Sequence, residues 1–390
     1  MPDKLLKDLF IAYYDARRHK RNTLNALEFE INYEQNLLQL YQDLKAGTYQ
    51  IGRSKAFVIF DPVQREIIAS PFRDRVIHHL IFNYINPIFE PLFINDSYSC
   101  RLGRGTAYGI KRVTYFIRAC SRNYHRDCFI LKLDLSGYFM SINQKILHEK
   151  IKKYLVKHSN KLNFNLSLVL DLLNKIIFHN YTKNCIIKCS PNDWDGLPKN
   201  KSLFFVPAGF GLPIGNLTSQ LFSNIYLNDF DHYIKRVLKF KYYGRYVDDM
   251  IIVNTDKYLL KRTVSQINNY LLVNLGLKLH PKKIYLQPYA NGVSFLGALI
   301  KPYRNYISSR TKNNFYKTII KANLYLVNKN FNKEKLSSIL ASLNSYLGLT
   351  SKHNSFNLRR KLLDVKLTPI FWRFFSRWGI DNYKKVRLRK

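Results

Sequence analysis

Two adjacent carboxylates, Asp248 and Asp249, lie in the segment YYGRYVDDMIIV between two runs of bulky residues. β-Branched and aromatic residues favour strands, so this pattern predicts a hairpin whose turn carries both aspartates. Water can solvate aspartates in an ordinary turn, but buried flanking strands would hold this turn rigidly. Repulsion between the carboxylates must then be offset by positive charge, and a divalent cation suits such hard oxygen ligands.

A third carboxylate, Asp134, belongs to the nearly continuous apolar run at residues 129–135. That run is typical of a strand covered on both faces, where an unpaired charge is costly. We therefore expect Asp134 to lie beside Asp248 and Asp249. Three carboxylates at one end of a sheet can hold two Mg²⁺ ions about 3.5 to 4 Å apart, as phosphoryl transfer requires. The constellation predicts a nucleotidyl transferase or a nuclease.

The charge of the chain indicates a polyanionic partner. The 390 residues include 63 Lys and Arg against 26 Asp and Glu, a net charge of +37. Such a charge destabilises a compact state by self-repulsion, so nucleic acid is the first candidate partner. A basic membrane-surface protein and a genome biased towards Lys and Asn are the alternatives.

No apolar run approaches the ~18 residues that span a bilayer, and MPDKLLKDLF lacks an apolar signal core. We expect no membrane contact and a cytoplasmic location.

The elements that must position the carboxylates follow from hydrophobic periodicity. Helices are predicted within residues 1–50, stopping at Gly47, in FRDRVIHHLIFNYINPIFEPLF up to Pro87, in GIKRVTYFIRACSRN and over residues 259–275. KAFVIFDPVQREIIAS predicts a hairpin around Asp61 and Pro62, and KIYLQPY and VSFLGALI predict a strand pair. The chain beyond Lys301 reads as mostly helical, with KKVRLRK as a solvated or nucleic-acid-bound tail.

The five cysteines are odd in number and irregularly spaced, which argues against a disulfide framework. CIIKC with His179 upstream has the form of half a zinc site, but no second ligand pair stands at suitable spacing. We expect ordinary thiols.

Five motifs in order, LKLDLSGYF, GLPIGNLTSQ, YVDD, GLKLHPKK and FLG, resemble the motif series of reverse transcriptases over about residues 55–300. The resemblance implies an α+β fold of the right-hand polymerase type. It implies an N-terminal extension and fingers at 1–128, and a palm at 129–155 and 206–300. The insertion at 156–205 would belong partly to the fingers, and 301–390 would form a helical thumb.

The same resemblance implies roles for individual residues. Asp134 and Asp248 would be the principal ligands of two Mg²⁺ ions, with Asp249 in support. Phe139 would exclude a ribose 2′-hydroxyl, although a core aromatic is the alternative. Lys282 or Lys283 would approach the leaving pyrophosphate; the sequence leaves both open, and we take Lys283 as the working assignment.

Further positions would contact the nucleotide or the nucleic acid. Arg65, in a segment similar to the fingers hairpin, would contact the incoming dNTP, and Arg101 and Arg104 would position template or primer phosphates. FLG would be the primer grip, formed by Phe295, Leu296 and Gly297.

One segment departs from the common pattern. Most reverse transcriptases have Gln-Gly followed by Ser-Pro where this chain has Ile214-Gly215 beside the dNTP and Ser219-Gln220 beside the template. Gln can hydrogen-bond a nucleotide and Ile cannot, which predicts a looser check on base pairing. Neutral substitution with repacking is the alternative.

GLPIGNLTSQ, together with Trp194, Leu197, Pro198 and the KSLF segment at 201–204, resembles reverse transcriptases of diversity-generating retroelements. That subfamily copies a template-repeat RNA into cDNA with errors at adenines, and works with a basic accessory variability determinant protein in bacteria or phages. A retron or group II intron type of enzyme, and a non-catalytic nucleic-acid-binding scaffold, are the alternatives.

Overall fold

The computed structural model describes residues 3–18, 23–60, 63–183, 185–327, 332–378 and 383–389. The chain forms two compact units. The first comprises residues 1–105, 132–252 and 258–285, and the second comprises residues 106–131, 253–257 and 286–390. The division into fingers, palm and thumb made from the sequence follows other boundaries, and it stays a prediction.

Some of the helices begin where a side chain satisfies a free backbone N–H group. Asp3, Asn143, Asn165 and Asn332 each accept a backbone N–H from the first turn of the helix that follows. The helices are α1 (Lys4–Arg17), α2 (Leu24–Glu30), α3 (Tyr33–Lys45), α4 (Phe72–Phe89), α5 (Thr106–Cys120), α6 (Tyr138–Ser141), α7 (Gln144–Lys157), α8 (Leu166–Phe178), α9 (Leu217–His232), α10 (Lys257–Leu275), α11 (Ser309–Val327), α12 (Lys333–Ser351), α13 (Phe356–Arg360) and α14 (Phe371–Phe374).

The strands of the described residues are β1 (Lys55–Ile59), β2 (Arg65–Ala69), β3 (Phe129–Leu133), β4 (Ile186–Ile187), β5 (Tyr242–Tyr246), β6 (Asp249–Asn254), β7 (Tyr285–Pro288), β8 (Val293–Phe295), β9 (Ala298–Lys301), β10 (Arg304–Ile307), β11 (Phe375–Arg377) and β12 (Val386–Leu388). These described strands form four small sheets with the orders β2-β1-β4, β5-β6-β3-β7, β10-β9-β8 and β11-β12.

Most of the predicted elements are present. The N-terminal region is helical, and Gly47, with φ of 72°, lies just beyond α3 in the left-handed conformation that ends many helices. β1 and β2 form the expected antiparallel hairpin, with Lys55 opposite Ala69 and Ile59 opposite Arg65. The predicted turn residues Asp61 and Pro62 lie outside the described residues.

Three predicted details were wrong. Helix α4 continues past Pro87 to Phe89, because a proline this close to the end removes only one intrahelical hydrogen bond. VSFLGALI does not pair with KIYLQPY but forms its own hairpin, β8–β9, while β7 joins the sheet of β3. The segment KKVRLRK is not simply a tail, because Val386 is buried in the core of the second unit and starts β12.

Each unit has its own core. In the first, α4 packs against α1 and α9, and α7 packs against α8 and α9. In the second, α11 and α12 pack against the segments that follow them, with Phe315, Leu343 and Phe371 fully buried. Within the described ranges, no helix is both long and apolar enough to cross a bilayer.

Candidate active site

Three carboxylates meet at one end of the sheet β5-β6-β3-β7. Asp248 lies in the two-residue turn between β5 and β6, Asp249 begins β6, and Asp134 follows β3 directly. Since β6 and β3 are neighbours in the sheet, the ends of both strands bring Asp134 next to the turn. The expected convergence is therefore present, although the sequence separates Asp134 from the other two aspartates by more than a hundred residues.

Two lysines lie against these carboxylates. Nζ of Lys283 donates to Oδ1 of Asp134 over 2.9 Å, and Nζ of Lys132 lies 3.3 Å from Oδ1 of Asp249. Lys283, not its neighbour Lys282, faces the aspartates, so the structure distinguishes the two lysines that the sequence left open. Lys132 belongs to β3, and the sequence analysis assigned it no role.

The pKa values of these side chains reflect the closeness of the three negative charges. Burial, and then the charges of Asp134 and Asp249, raise the pKa of Asp248 to about 6. Burial also raises the pKa of Asp249, against the opposing effect of Lys132. Burial lowers the pKa of Lys283, but its hydrogen bond to Asp134 and the charges of all three aspartates outweigh burial and raise it. The site therefore favours added positive charge.

The donor set suits a hard divalent cation, since all three ligating groups would be carboxylates. In the part of the chain that the structure describes, however, no three His, Cys, Asp or Glu side chains are arranged to enclose a metal ion. One oxygen of Asp134 and one of Asp249 instead face ammonium groups. Divalent ions fit here if Lys283 and Lys132 move away from those oxygens. The same observation leaves the half zinc site around Cys185 and Cys189 without further ligands.

A fully buried ion pair contacts the turn that carries Asp248 and Asp249. The sequence did not predict it. Arg245 on β5 and Asp231 on α9 are both 0% exposed and form a bidentate pair, with Nε to Oδ1 at 2.8 Å and Nη2 to Oδ2 at 2.6 Å. The hydroxyl of Tyr243 donates to the same carboxylate. The remaining guanidinium nitrogen, Nη1, donates to the carbonyl oxygen of Val247 in the turn.

Val247 itself has a strained backbone. Its φ is +55°, in a region that β-branched residues rarely adopt, and this turn position normally prefers glycine. Its carbonyl accepts from Arg245, and its N–H donates to Oγ of Ser99 over 3.3 Å. Strain of this kind persists only where neighbouring groups fix the conformation. The two contacts therefore hold the turn that presents Asp248 and Asp249.

The segment around Ile214 and Gly215 packs against the hairpin strand that begins with Arg65. The N–H of Ile68 on β2 donates to the carbonyl of Ile214 over 2.9 Å. A Cβ added at Gly215 would lie 2.8 Å from the carbonyl oxygen of Ile68, so the approach requires glycine. Ile214 is half-buried, and Gly215 and Arg65 are exposed. The charge of Arg65 also reaches the hydroxyl of Tyr246, where it lowers a pKa that burial raises.

Phe139 lies on the short helix α6, five residues after Asp134. Its ring is half-buried, and its carbonyl accepts the N–H of Leu212, two residues before Ile214. Phe139 and Ile214 therefore belong to one connected region near the carboxylates.

A buried carboxylate, Glu66, anchors the tryptophan-containing block to β2. It is 2% exposed and accepts hydrogen bonds from Nε1 of Trp194, Oγ of Ser202 and the N–H of Leu203, all at 2.6–2.7 Å. The same block reaches the loop after Asp134, because a Cβ on Gly137 would lie 2.6 Å from the carbonyl oxygen of Asn200. The sequence resemblance identified the block but gave no partner for it.

The two arginines predicted to bind phosphates, Arg101 and Arg104, have different environments. Arg101 is not arranged as a phosphate ligand: its side chain is 5% exposed and donates to Glu90 and to the carbonyls of Ile94 and Ser97. This geometry favours a structural role over the predicted phosphate contact. Arg104 is half-buried.

On α9, Ser219 is 3% exposed, so the predicted template contact of its side chain has little accessible surface, whereas Gln220 is exposed. In the second unit, the predicted primer grip is the turn of the β8–β9 hairpin. Leu296 and Gly297 form that turn with φ of 52° and 84°, and Phe295 is buried beneath it.

Comparison with known proteins identifies a family over most of this region. The family model described as reverse transcriptase (RNA-dependent DNA polymerase) matches residues 64–300. That range is more than half of the chain and contains the three aspartates, Lys283, Arg65 and the Ile214-Gly215 segment.

Two named proteins are distantly similar to part of this chain. Protein YkfC of Escherichia coli K12 is 26% identical over 209 residues, which cover 54% of this chain and 46% of YkfC. Nuclear intron maturase 4 of Arabidopsis thaliana, a mitochondrial protein, is 25% identical over 203 residues, 50% of this chain and 21% of the maturase. The chain thus spans less than half of the length of either relative.

Among solved structures, telomerase of Candida albicans is 13% identical with a TM-score of 0.47, covering 87% of this chain and 59% of the telomerase. The telomerase of Candida tropicalis gives a TM-score of 0.46 at 14% identity, covering 80% and 60%.

Proposed function

This chain belongs to the reverse transcriptase family and has its α+β fold, and we infer that it is an RNA-directed DNA polymerase whose active site is formed by Asp134, Asp248 and Asp249. The observation that carries the proposal is the meeting of these three carboxylates at one end of a sheet, with Lys283 on one of them. The proposed substrates are a template RNA, a growing cDNA and dNTPs.

Two Mg²⁺ ions are the proposed cofactors, held by Asp134, Asp248 and Asp249. Bound there, they would increase the acidity of the primer 3′-hydroxyl and neutralise charge on the leaving pyrophosphate. The chain itself contributes orientation: Arg245 and Ser99 fix the turn, so that both aspartates keep one geometry. Lys283, released from Asp134, would place its ammonium group beside the leaving phosphates.

The nucleotide subsite is proposed to lie between Arg65, Phe139, Ile214 and Gly215. Arg65 is exposed at the start of β2 and offers five permanently charged donors to a triphosphate. The half-buried ring of Phe139 would exclude a 2′-hydroxyl and favour dNTPs. Exposed Gly215 would allow the nucleotide to approach the backbone closely.

For the finer assignment, we propose a reverse transcriptase of a diversity-generating retroelement. Ile214 replaces a glutamine side chain that could sense base pairing, and the Trp194 block typical of that subfamily is anchored on Glu66 behind the nucleotide subsite. This assignment implies that the enzyme copies a template-repeat RNA with errors at adenines. It also implies an oligomeric basic accessory protein as partner and a cytoplasmic location in a bacterial or phage-infected cell. The proposed domains, which follow from the family resemblance as a whole, are an N-terminal extension and fingers at 1–128, a palm at 129–155 and 206–300 and a helical thumb at 301–390. The insertion at 156–205 is proposed to belong partly to the fingers.

The decisive test of the site is cDNA synthesis from a primed RNA template by Asp248→Asn and Asp249→Asn variants. Loss of synthesis without a loss of thermal stability is expected, because Asn keeps the shape and removes a charge that burial and the neighbouring carboxylates disfavour. Asp171→Asn, at an exposed position on α8, is the control. Persistent synthesis by both site variants would refute the site assignment, whereas absence of synthesis by the wild type would favour the non-catalytic scaffold.

The subfamily is tested separately by Ile214→Gln. A retron or group II intron type of enzyme is the rival, and the similarity to an intron maturase keeps it in consideration. If the retroelement assignment holds, wild-type cDNA carries errors concentrated at template adenines and Ile214→Gln lowers their frequency. Sequencing of cDNA from both proteins decides, and a faithful wild type would favour the rival. A neighbouring pair of DNA repeats that differ mainly at adenines would support the retroelement.

A further inference from the structure

The first unit contains a second basic surface, which the active site does not use. It is a groove of about 950 Å³ formed by residues 89–96, one face of α7 and the C-terminal end of α9 with the turn after it. We refer to it as the α7–α9 groove. Its lining residues include none of the residues proposed for the active site or the nucleotide subsite.

The cations of the groove fall into two groups. Lys150 and Lys235 are neutralised, the first by Asp229 at 2.9 Å and the second by Asp96 at 3.8 Å. Lys153, Lys157 and Arg236 are exposed, and among the described residues no carboxylate pairs with any of them. The groove therefore keeps an excess of positive charge after its own acidic residues are accounted for.

Apolar surface lies between these charges. Pro91 and Leu92 are accessible along one wall, and Tyr154 is half-buried on α7 between Lys153 and Lys157. A ligand that fits must carry repeated negative charge and flat apolar faces at once.

We propose that the α7–α9 groove binds a single-stranded segment of RNA outside the polymerase site. The phosphates would contact Lys153, Lys157 and Arg236, and unpaired bases would lie on Pro91 and Leu92. Single-stranded RNA is favoured over a duplex, because a duplex hides its base faces in stacking while a single strand presents them to apolar and aromatic side chains. An acidic protein would satisfy the lysines too, but the high positive charge spread over the chain favours a nucleic acid.

The proposal goes beyond the polymerase assignment and is tested without catalysis. The probe is a fluorescent 20-nucleotide oligouridine, titrated in the absence of Mg²⁺ and dNTPs at several salt concentrations. The variant is Lys153→Gln/Lys157→Gln/Arg236→Gln. Its matched control, Lys7→Gln/Lys261→Gln/Arg262→Gln, removes the same charge from exposed positions on α1 and α10.

Loss of three phosphate contacts should weaken oligouridine binding at least tenfold and reduce the slope of log affinity against log salt by about 2, at about 0.7 per phosphate. The control should keep the wild-type slope. Extension of a short hairpin primer on its own template should stay unchanged in both triple variants, which separates this proposal from the polymerase assignment.

A second measurement locates the RNA directly. Oligouridine substituted with 4-thiouridine, irradiated on the intact protein, should cross-link to peptides that contain residues 89–96 or α7, and these cross-links should disappear in the groove variant. Equal loss of affinity in both triple variants, or cross-links confined to other peptides, would overturn the proposal. Unchanged RNA affinity in the groove variant would make an acidic protein the better candidate.

Discussion

Arg245 and Asp231 form a bidentate, fully buried ion pair directly behind the turn that carries Asp248 and Asp249. Burial lowers the pKa of Arg245, but the charge and hydrogen bonds of Asp231 outweigh burial and raise it, so the guanidinium stays charged. Its third contact, to the carbonyl of Val247, connects this ion pair to the active site. The pair can therefore act on both stability and catalysis, and the two effects can be separated.

The ion pair predicts a double-variant rescue of stability without rescue of activity. In a Tyr243→Phe background, which removes the third donor to Asp231, Arg245→Met or Asp231→Leu alone leaves a buried charge and should cost about 3–5 kcal/mol. The double variant replaces both charges with apolar groups and should recover most of that loss in urea unfolding. cDNA synthesis should stay impaired, because Val247 has lost its donor. Full recovery of synthesis would show that the contact to Val247 does not matter.

The strained turn predicts different effects for two small substitutions. Val247→Gly can adopt the positive φ without strain, whereas Val247→Ala removes the same branched side chain and keeps the strain. The glycine variant should be more stable than the alanine variant by about 1 kcal/mol, despite the greater flexibility of its unfolded chain. Denaturant unfolding of both proteins measures this. Equal stabilities would mean that the turn stores no strain.

The two neighbouring lysines predict unequal losses. In the wild type, the ammonium group of Lys283 contacts Asp134, and its charge lowers the pKa of Asp248. Lys283→Ala removes this group and should reduce kcat about 100-fold. Lys282→Ala, the matched control one residue earlier, removes an exposed side chain and should change kcat less than twofold. Single-nucleotide incorporation at saturating dNTP provides the comparison. The assignment of Lys283 would be wrong if the two variants lost activity equally.

The anchored block predicts that Glu66 positions the nucleotide subsite. Gln at position 66 keeps one acceptor oxygen and turns an N–H₂ group towards donors, so at least one of the bonds from Trp194, Ser202 and Leu203 is lost. We expect a rise in the KM for dNTP with little change in kcat, because β2 carries Arg65. Glu34→Gln on α3 serves as the surface control. A change in thermal stability with unchanged KM would indicate a purely structural role.

The buried imidazole of His78 predicts an acid sensitivity. Burial, and then the charges of His79 and Arg75, lower its pKa from 6.5 to about 3, and its ring contacts Ser70 and Thr218. Because the folded-state pKa is depressed, this contribution to stability is complete above pH 6.5 and is lost as pH falls towards 3. Between pH 7.5 and 5.5 the loss should be about 1.4 kcal/mol. The pH dependence of urea unfolding should be weaker by that amount in His78→Gln than in the wild type.

The sequence by itself determined which residues carry the proposed chemistry and which local elements hold them. The order of apolar runs and turns was enough to predict the hairpin of β5 and β6 and the strand before Asp134, because strand periodicity is local. The convergence of the three aspartates was predicted from the cost of an unpaired carboxylate in an apolar strand. The primer-grip segment shows the limit of local reasoning. FLG was recognised, but its hairpin was not, because a turn at Leu296 and Gly297 with two positive φ values has no Asn-Gly or Asp-Gly signal.

The tertiary structure alone decided the partners. Asp231 reads as an ordinary polar residue near the end of a helix, and only the packing of α9 under β5 makes it the buried counterion of Arg245. Glu66 finds Trp194 and Ser202 more than 120 residues later, and Arg101, expected on phosphate, is enclosed by Glu90 and two carbonyls. Hydrogen bonds and burial depend on which surfaces meet, and residue types along a chain do not specify that meeting.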